Sequence, residues 1–116
     1  MSEVKVTVGG DFEDQASRRF IDAWHRAERG ATAPERHLAF ESWEALAKVL
    51  TGRRVALLRH VRHNEVASIR ALAAALGRDY SNVHRDVRSL EAAGLLEVTE
   101  AGLRADYDAI DAKVAI

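Results

Sequence analysis

Between Ser68 and Gly94 the chain reads SIRALAAALGRDYSNVHRDVRSLEAAG, and no other stretch limits the fold as tightly. Ile69, Leu72, Ala73 and Leu76 recur at helical spacing and make one apolar stripe. Ser68 precedes that stripe and can cap it, its hydroxyl accepting from an unpaired backbone N–H. Gly77 stops the helix, because glycine enters the left-handed region without steric cost. Asp79 caps a second helix whose buried stripe is Val83, Val87 and Leu90, and Gly94 ends it. Two helices joined by a short glycine turn, the second rich in polar side chains, form a helix-turn-helix pattern.

The next residues sharpen this. Leu95 to Thr99 is a short strand-like run, Glu100-Ala101-Gly102 a turn, and Leu103 to Tyr107 alternates apolar and polar. A hairpin directly after such a helix pair is a wing. With these parts the sequence resembles the winged helix-turn-helix regulators of bacteria and archaea, including the MarR-like group. It is similar, more closely, to a small prokaryotic family regarded as DNA-binding. Three segments carry that likeness: Phe40-Glu41-Ser42-Trp43-Glu44, Leu50-Thr51-Gly52-Arg53-Arg54, and Arg78-Asp79-Tyr80 with Val83, Asp86 and Val87. It covers roughly residues 38 to 110. The resemblance implies transcription regulation in a prokaryote, with a toxin-like protein as a further partner in some members.

At 116 residues the chain fits one compact domain with outlying elements. The reading is mainly α with small β (α+β): an N-terminal strand–helix extension over 1–36, serving as a dimerisation element, a winged helix-turn-helix over 37–110, and a C-terminal strand over 111–116. The sequence holds no cysteine, which removes thiolate chemistry and fits a cytoplasmic protein. No long apolar run opens the chain, so neither a signal peptide nor a membrane span is expected. Net charge is only −1, yet residues 51–90 carry eight arginines against Glu65, Asp79 and Asp86, a local +5 that leaves −6 for the rest. A basic segment inside a slightly acidic chain is the footprint of a nucleic-acid surface.

Val4, Val6 and Val8 alternate with Lys5 and Thr7 as a strand that needs a partner, and residues 112–116 are the nearest match, within one subunit or between two. Asp11 caps a helix running to about Arg29, with Phe12, Ala16, Phe20, Ala23, Trp24 and Ala27 on one face. Phe20 and Trp24 serve there as interface anchors or as intrachain core. Gly30 to Pro34 is a break, and His37 to Phe40 is extended. Ser42 caps a helix over 43–50 in which Trp43 is expected to fill core. Thr51 caps another over 53–62, with Val55, Leu58 and Val61 facing inward and Ala56 and Leu57 widening the stripe. Arg53 and Arg54 in its first turn oppose the helix dipole, and phosphate contact is one demand that accounts for them.

The helix over about 80–93 carries the chemistry. With Val83, Val87 and Leu90 inward, Ser81, Arg85 and Arg88 point outward at 100° per residue, flanked by Asn82, His84 and Ser89. Arginine pairs bidentately with guanine and asparagine with adenine, so this face suits double-stranded DNA in the major groove. Ser68, Arg70 and Tyr80 stand where they can add backbone contacts, Tyr80 through its hydroxyl, although its ring suits packing on the preceding helix equally well. Asp86 lies at the inward edge and needs an arginine, with Arg70 and Arg54 the candidates. On the hairpin only Arg104 suits DNA, since Glu97 and Glu100 repel phosphate.

Other chemistries lack their parts. His60 and His63 share a helix face, but a zinc site needs three or four converging ligands. Neither a nucleophile elbow nor a glycine-rich phosphate loop is present, so no enzyme activity, cofactor or metal is expected. The expectation is a homodimeric transcription regulator without a membrane association. Its rival is a winged-helix interaction module, or an antitoxin-like binder, gripping a protein partner through the helix over 12–29.

Overall fold

The computed structural model describes residues 2–9 and 36–116. The expected helix over 12–29, with Phe20 and Trp24, and the break at 30–34 lie outside the described residues. The chain divides into two compact units, Met1–Leu46 with Tyr107–Ile116, and Ala47–Asp106. Together the described elements make a small α+β protein of four helices and five short strands.

The first unit is built on β1 (Glu3–Val8). It is the central strand of a three-stranded sheet, flanked by β2 (Arg36–Phe40) and β5 (Ala109–Val114). Val4, Val6 and Val8 are each only 1% exposed while Glu3, Lys5 and Thr7 stay half-open, the alternation that a pleated strand imposes. The N-terminal strand does pair with the C-terminal one, within a single chain, with Val4 opposite Ile110 and Val8 opposite Val114. That C-terminal strand begins at Ala109, upstream of the residues expected to form it. The extended stretch at His37–Phe40 becomes the third strand, Val6 standing opposite Leu38. Both pairings are parallel, so each needs a long crossover. In sequence, residues 10–35 supply the first and the whole second unit lies inside the other. Gly9 (φ 74°) takes the left-handed turn after β1, and its N–H donates to the Phe40 carbonyl at 3.1 Å. On the open face Lys5 donates to Asp111 at 2.8 Å and to Glu3 at 3.0 Å, and these bonds hold its ammonium well above the usual lysine range.

Helix α1 (Trp43–Val49) starts at Ser42, whose hydroxyl accepts from the Ala45 N–H at 3.2 Å. It buries Leu46 alone, and Trp43 is 56% exposed. The expectation of a core tryptophan fails because Trp43 occupies the first turn of a helix only seven residues long, which has one inward position and gives it to Leu46.

The second unit packs α2 (Gly52–His63), α3 (Ile69–Leu76) and α4 (Tyr80–Ala92) with a hairpin, β3 (Glu97–Thr99) and β4 (Gly102–Arg104). Thr51, Ser68 and Asp79 accept from the N–H groups of Arg54, Ala71 and Asn82 respectively, satisfying donors that a helix start leaves unpaired. Gly77 (φ 63°) closes α3, and the Arg78 N–H returns to the Ala73 carbonyl at 3.0 Å. Gly94 (φ 84°) follows α4 in the same way, with the Leu95 N–H on the Leu90 carbonyl at 2.9 Å. Leu57, Leu72, Leu90 and Leu95 are fully buried, and each such side chain contributes roughly 1.5–3 kcal/mol. Leu57 is thus the centre of the α2 face and not its margin, whereas Val55 is half-buried and Ala56 exposed.

The hairpin is tighter than its sequence pattern. Gly102 belongs to β4, opposite Thr99, and the turn shrinks to Glu100 and Ala101. Val66, between α2 and α3, adds a rung, accepting from the Leu103 N–H at 2.9 Å. Gly102 sits at φ 129°, and a Cβ there would collide with the Val66 carbonyl oxygen.

Candidate nucleic-acid interface

Helix α4 separates its faces sharply. Val83, Val87 and Leu90 are sealed, while Ser81, Asn82, Arg85 and Arg88 are exposed on the opposite side, and His84 is half-buried at the flank. The outward set expected from the periodicity is therefore brought together on one helix surface. Tyr80, 41% exposed, begins the helix. Arg70 from α3 lies over its ring, the guanidinium carbon 4.9 Å from the centroid, and the His84 ring centroid is 5.8 Å from that of Tyr80. Packing on the preceding helix and an accessible phenol therefore coexist at Tyr80. The stacking adds about 0.5–1 kcal/mol at an exposed site and ties the first turn of α4 to α3.

The buried edge of α4 holds Asp86, the buried charged residue among those described, at 6% exposure. Its carboxylate accepts from Arg54 Nε at 3.0 Å through one oxygen and from Arg78 Nη2 at 2.7 Å through the other. Burial alone would raise its pKa; the hydrogen bonds and charge of Arg78 and Arg54 outweigh that and hold the carboxyl below its ordinary value. Arg54 is further fixed by the carbonyls of Lys48 and Val49, at 2.8 and 3.2 Å, and by the Ser89 hydroxyl at 3.3 Å. Of the two arginines expected to serve Asp86, Arg54 does so and Arg70 does not. Arg78 takes the second place, which sequence reasoning missed. Its signal was present: an aspartate on the inward edge of an apolar stripe demands more than one donor, and the turn before α4 offers a guanidinium.

This hub changes the count of available cations. Arg54 is committed inside the unit, which gives its unfavourable place at the start of α2 a structural role. Arg53, Arg59, Arg70 and Arg85 remain exposed, and among the described residues none of them pairs with an acid. Arg88 is bridged to Glu91 at 2.8 Å, a surface pair worth only ~0.5 kcal/mol and readily exchanged for another anion. Arg104 stands apart on β4 and is bridged to Asp106 at 3.2 Å. The Ser68 hydroxyl is committed to the Ala71 N–H at 3.0 Å, so it acts first as a cap.

Among the described residues no three metal-capable side chains converge, and no helix is long and apolar enough to cross a membrane. His60 is drawn to Asn64, whose amide also donates to the His60 carbonyl at 3.0 Å.

The family model described as HVO_A0114 matches residues 49–112, more than half of the chain. The chain belongs to the HVO_A0114 family. The matched span takes in α2, α3, α4 and the hairpin, with Asp86 and both of its arginines, and ends within β5. No curated protein and no solved structure gives a significant match.

Proposed function

We propose that residues 47–106 form a winged helix-turn-helix of MarR-like kind and that α4 enters the major groove of double-stranded DNA, making this HVO_A0114 member a sequence-specific transcription regulator. The observation that carries the reading is Arg85. It lies in the middle of the outward face of α4, exposed, with no acidic partner among the described residues, on a helix whose opposite face is locked by Val83, Val87, Leu90 and the Asp86 hub. A rigid helix presenting an uncommitted guanidinium is what base recognition needs, because the donor fork must arrive already oriented.

In this reading Arg85 and Asn82 address base edges, and Arg88 joins them by leaving Glu91. Arg70, the Tyr80 hydroxyl, Arg53 and Arg59 serve phosphates. Ser81 and His84 stand close enough along the helix to contact either. Arg104 contributes little, since it must first leave Asp106 and since Glu97 and Glu100, both exposed, repel the backbone.

The test begins with genomic fragments retained by the purified protein, followed by fluorescence anisotropy across a salt series. Arg85→Ala is expected to weaken the selected site by ~10–100-fold, the equivalent of ~1–3 kcal/mol for one bidentate base contact, and to spare random DNA. Arg59→Ala is expected to weaken both equally and to lower the salt slope by about 0.9. Unchanged affinity in an Arg85→Ala, Arg88→Ala double variant that remains folded overturns the assignment.

A further inference from the structure

Among the described residues the sheet of the first unit ends on β5. Its last four residues, Asp111 to Val114, are exposed, and Val114 is 42% exposed, whereas every residue of the other edge strand, β2, is half-covered. An open strand edge is a template for another strand unless something blunts it. We infer that β5 is the seam of a two-fold homodimer, pairing antiparallel with β5 of a second copy about Ala112, so that the two sheets join into one. This goes beyond the DNA-binding reading and does not depend on it.

Backbone parity and charge single out the register. The Ala115 N–H donates inward to the Val8 carbonyl at 2.9 Å, so by the alternation of a strand Asp111 and Lys113 also turn their backbone groups toward β1. Ile110, Ala112 and Val114 then direct their N–H and C=O groups away from the sheet. An antiparallel partner must match outward groups with outward groups. Centred on Ala112, it sets Ala112 opposite Ala112 of the second copy and Ile110 opposite Val114, each as a hydrogen-bonded pair. The same register sets Asp111 opposite Lys113 in the close, non-hydrogen-bonded pairs on the other face, twice by symmetry. Moving the centre to Asp111 brings two aspartates face to face, and moving it to Lys113 brings two lysines together. Of these three registers the Ala112 one alone satisfies charge and backbone at once, and it overlaps more of β5 than a centre at either end of the strand. Asp111 already accepts from Lys5 through Oδ2, which leaves Oδ1 for the incoming ammonium. Lys113 thus discourages indiscriminate strand addition and still accepts a copy of its own chain.

Sedimentation velocity on the full chain tests this. The wild type is expected to run as a dimer at micromolar concentration, and Ala112→Pro as a monomer with an unchanged circular dichroism spectrum, because by the strand's alternation the N–H it removes points away from β1 and has no partner among the described residues. Lys113→Asp and Asp111→Lys are each expected to be monomeric alone and to form a mixed dimer when combined, since the mixture restores both opposite-charge pairs. A monomeric wild type, a dimeric Ala112→Pro, or failure of the mixed pair to associate overturns the proposal.

Discussion

Replacing Asp86 by alanine is expected to remove the polar anchor on the buried edge of α4. The side chains of Arg54 and Arg78 are only 13% and 20% exposed, and both direct N–H donors at the Asp86 carboxylate. Removing the acid strands two guanidinium groups in a poorly hydrated place. Breaking a buried pair by deleting one partner costs ~3–5 kcal/mol, and the partial exposure of the arginines sets the expectation at the lower end, about 3 kcal/mol. For a unit of this size that lowers the melting temperature by roughly 12 °C or more. Urea denaturation followed by circular dichroism reads the loss as a fall in midpoint at constant slope. Arg88→Ala is the matched control, because its bridge to Glu91 is exposed and should cost no more than ~0.5 kcal/mol. The pH dependence adds an independent signature. The carboxyl of Asp86 has a lowered pKa in the folded state, so its contribution is full above the ordinary aspartate value of about 4 and is lost as the pH falls below it. Asp86→Asn should flatten that acid limb. A loss under ~1 kcal/mol in the alanine variant, with an unaltered acid limb in the asparagine one, refutes the hub as the element that holds α4.

Glycine scanning should separate backbone strain from collision. Gly77→Ala meets open space and is expected to cost only the left-handed penalty of ~1–2 kcal/mol, whereas Gly102→Ala adds a clash with the Val66 carbonyl and should cost clearly more, both read by thermal melts. Tyr107 is buried, and burial pushes its phenol up to about 12 against a small opposing pull from Arg36. In a Tyr80→Phe background, absorbance at 295 nm should therefore show no tyrosinate until about pH 12, and the stability that Tyr107 provides should be complete below pH 10 and lost as the pH climbs toward that value. A tyrosinate transition near pH 10 in the folded protein contradicts its burial. Leu72→Ala, at the sealed α3–α4 contact, should cost ~2–5 kcal/mol by urea titration through the cavity it leaves.

Local order was legible along the chain. Ser68, Gly77, Asp79 and Gly94 mark the ends of α3 and α4, and the Val83, Val87, Leu90 stripe sorts inward from outward side chains, because caps and helical periodicity depend on neighbours within a few residues. The alternating valines of β1 likewise announce a strand with one buried face. What lay beyond that range was decided by packing. Asp86 reaches Arg54 across 32 residues, and Lys5 reaches Asp111 across 106. The parallel sense of both sheet pairings, the exposure of Trp43, the burial of Leu57 and the close approach of Val66 to Gly102 belong to the same class. Nothing in a local window states which arginine will be inward, since a guanidinium is equally at home in water. The tertiary structure chooses Arg54 and Arg78 because a buried carboxylate must be matched by donors there, and it leaves Arg85 exposed on the outer face with no acidic partner among the described residues.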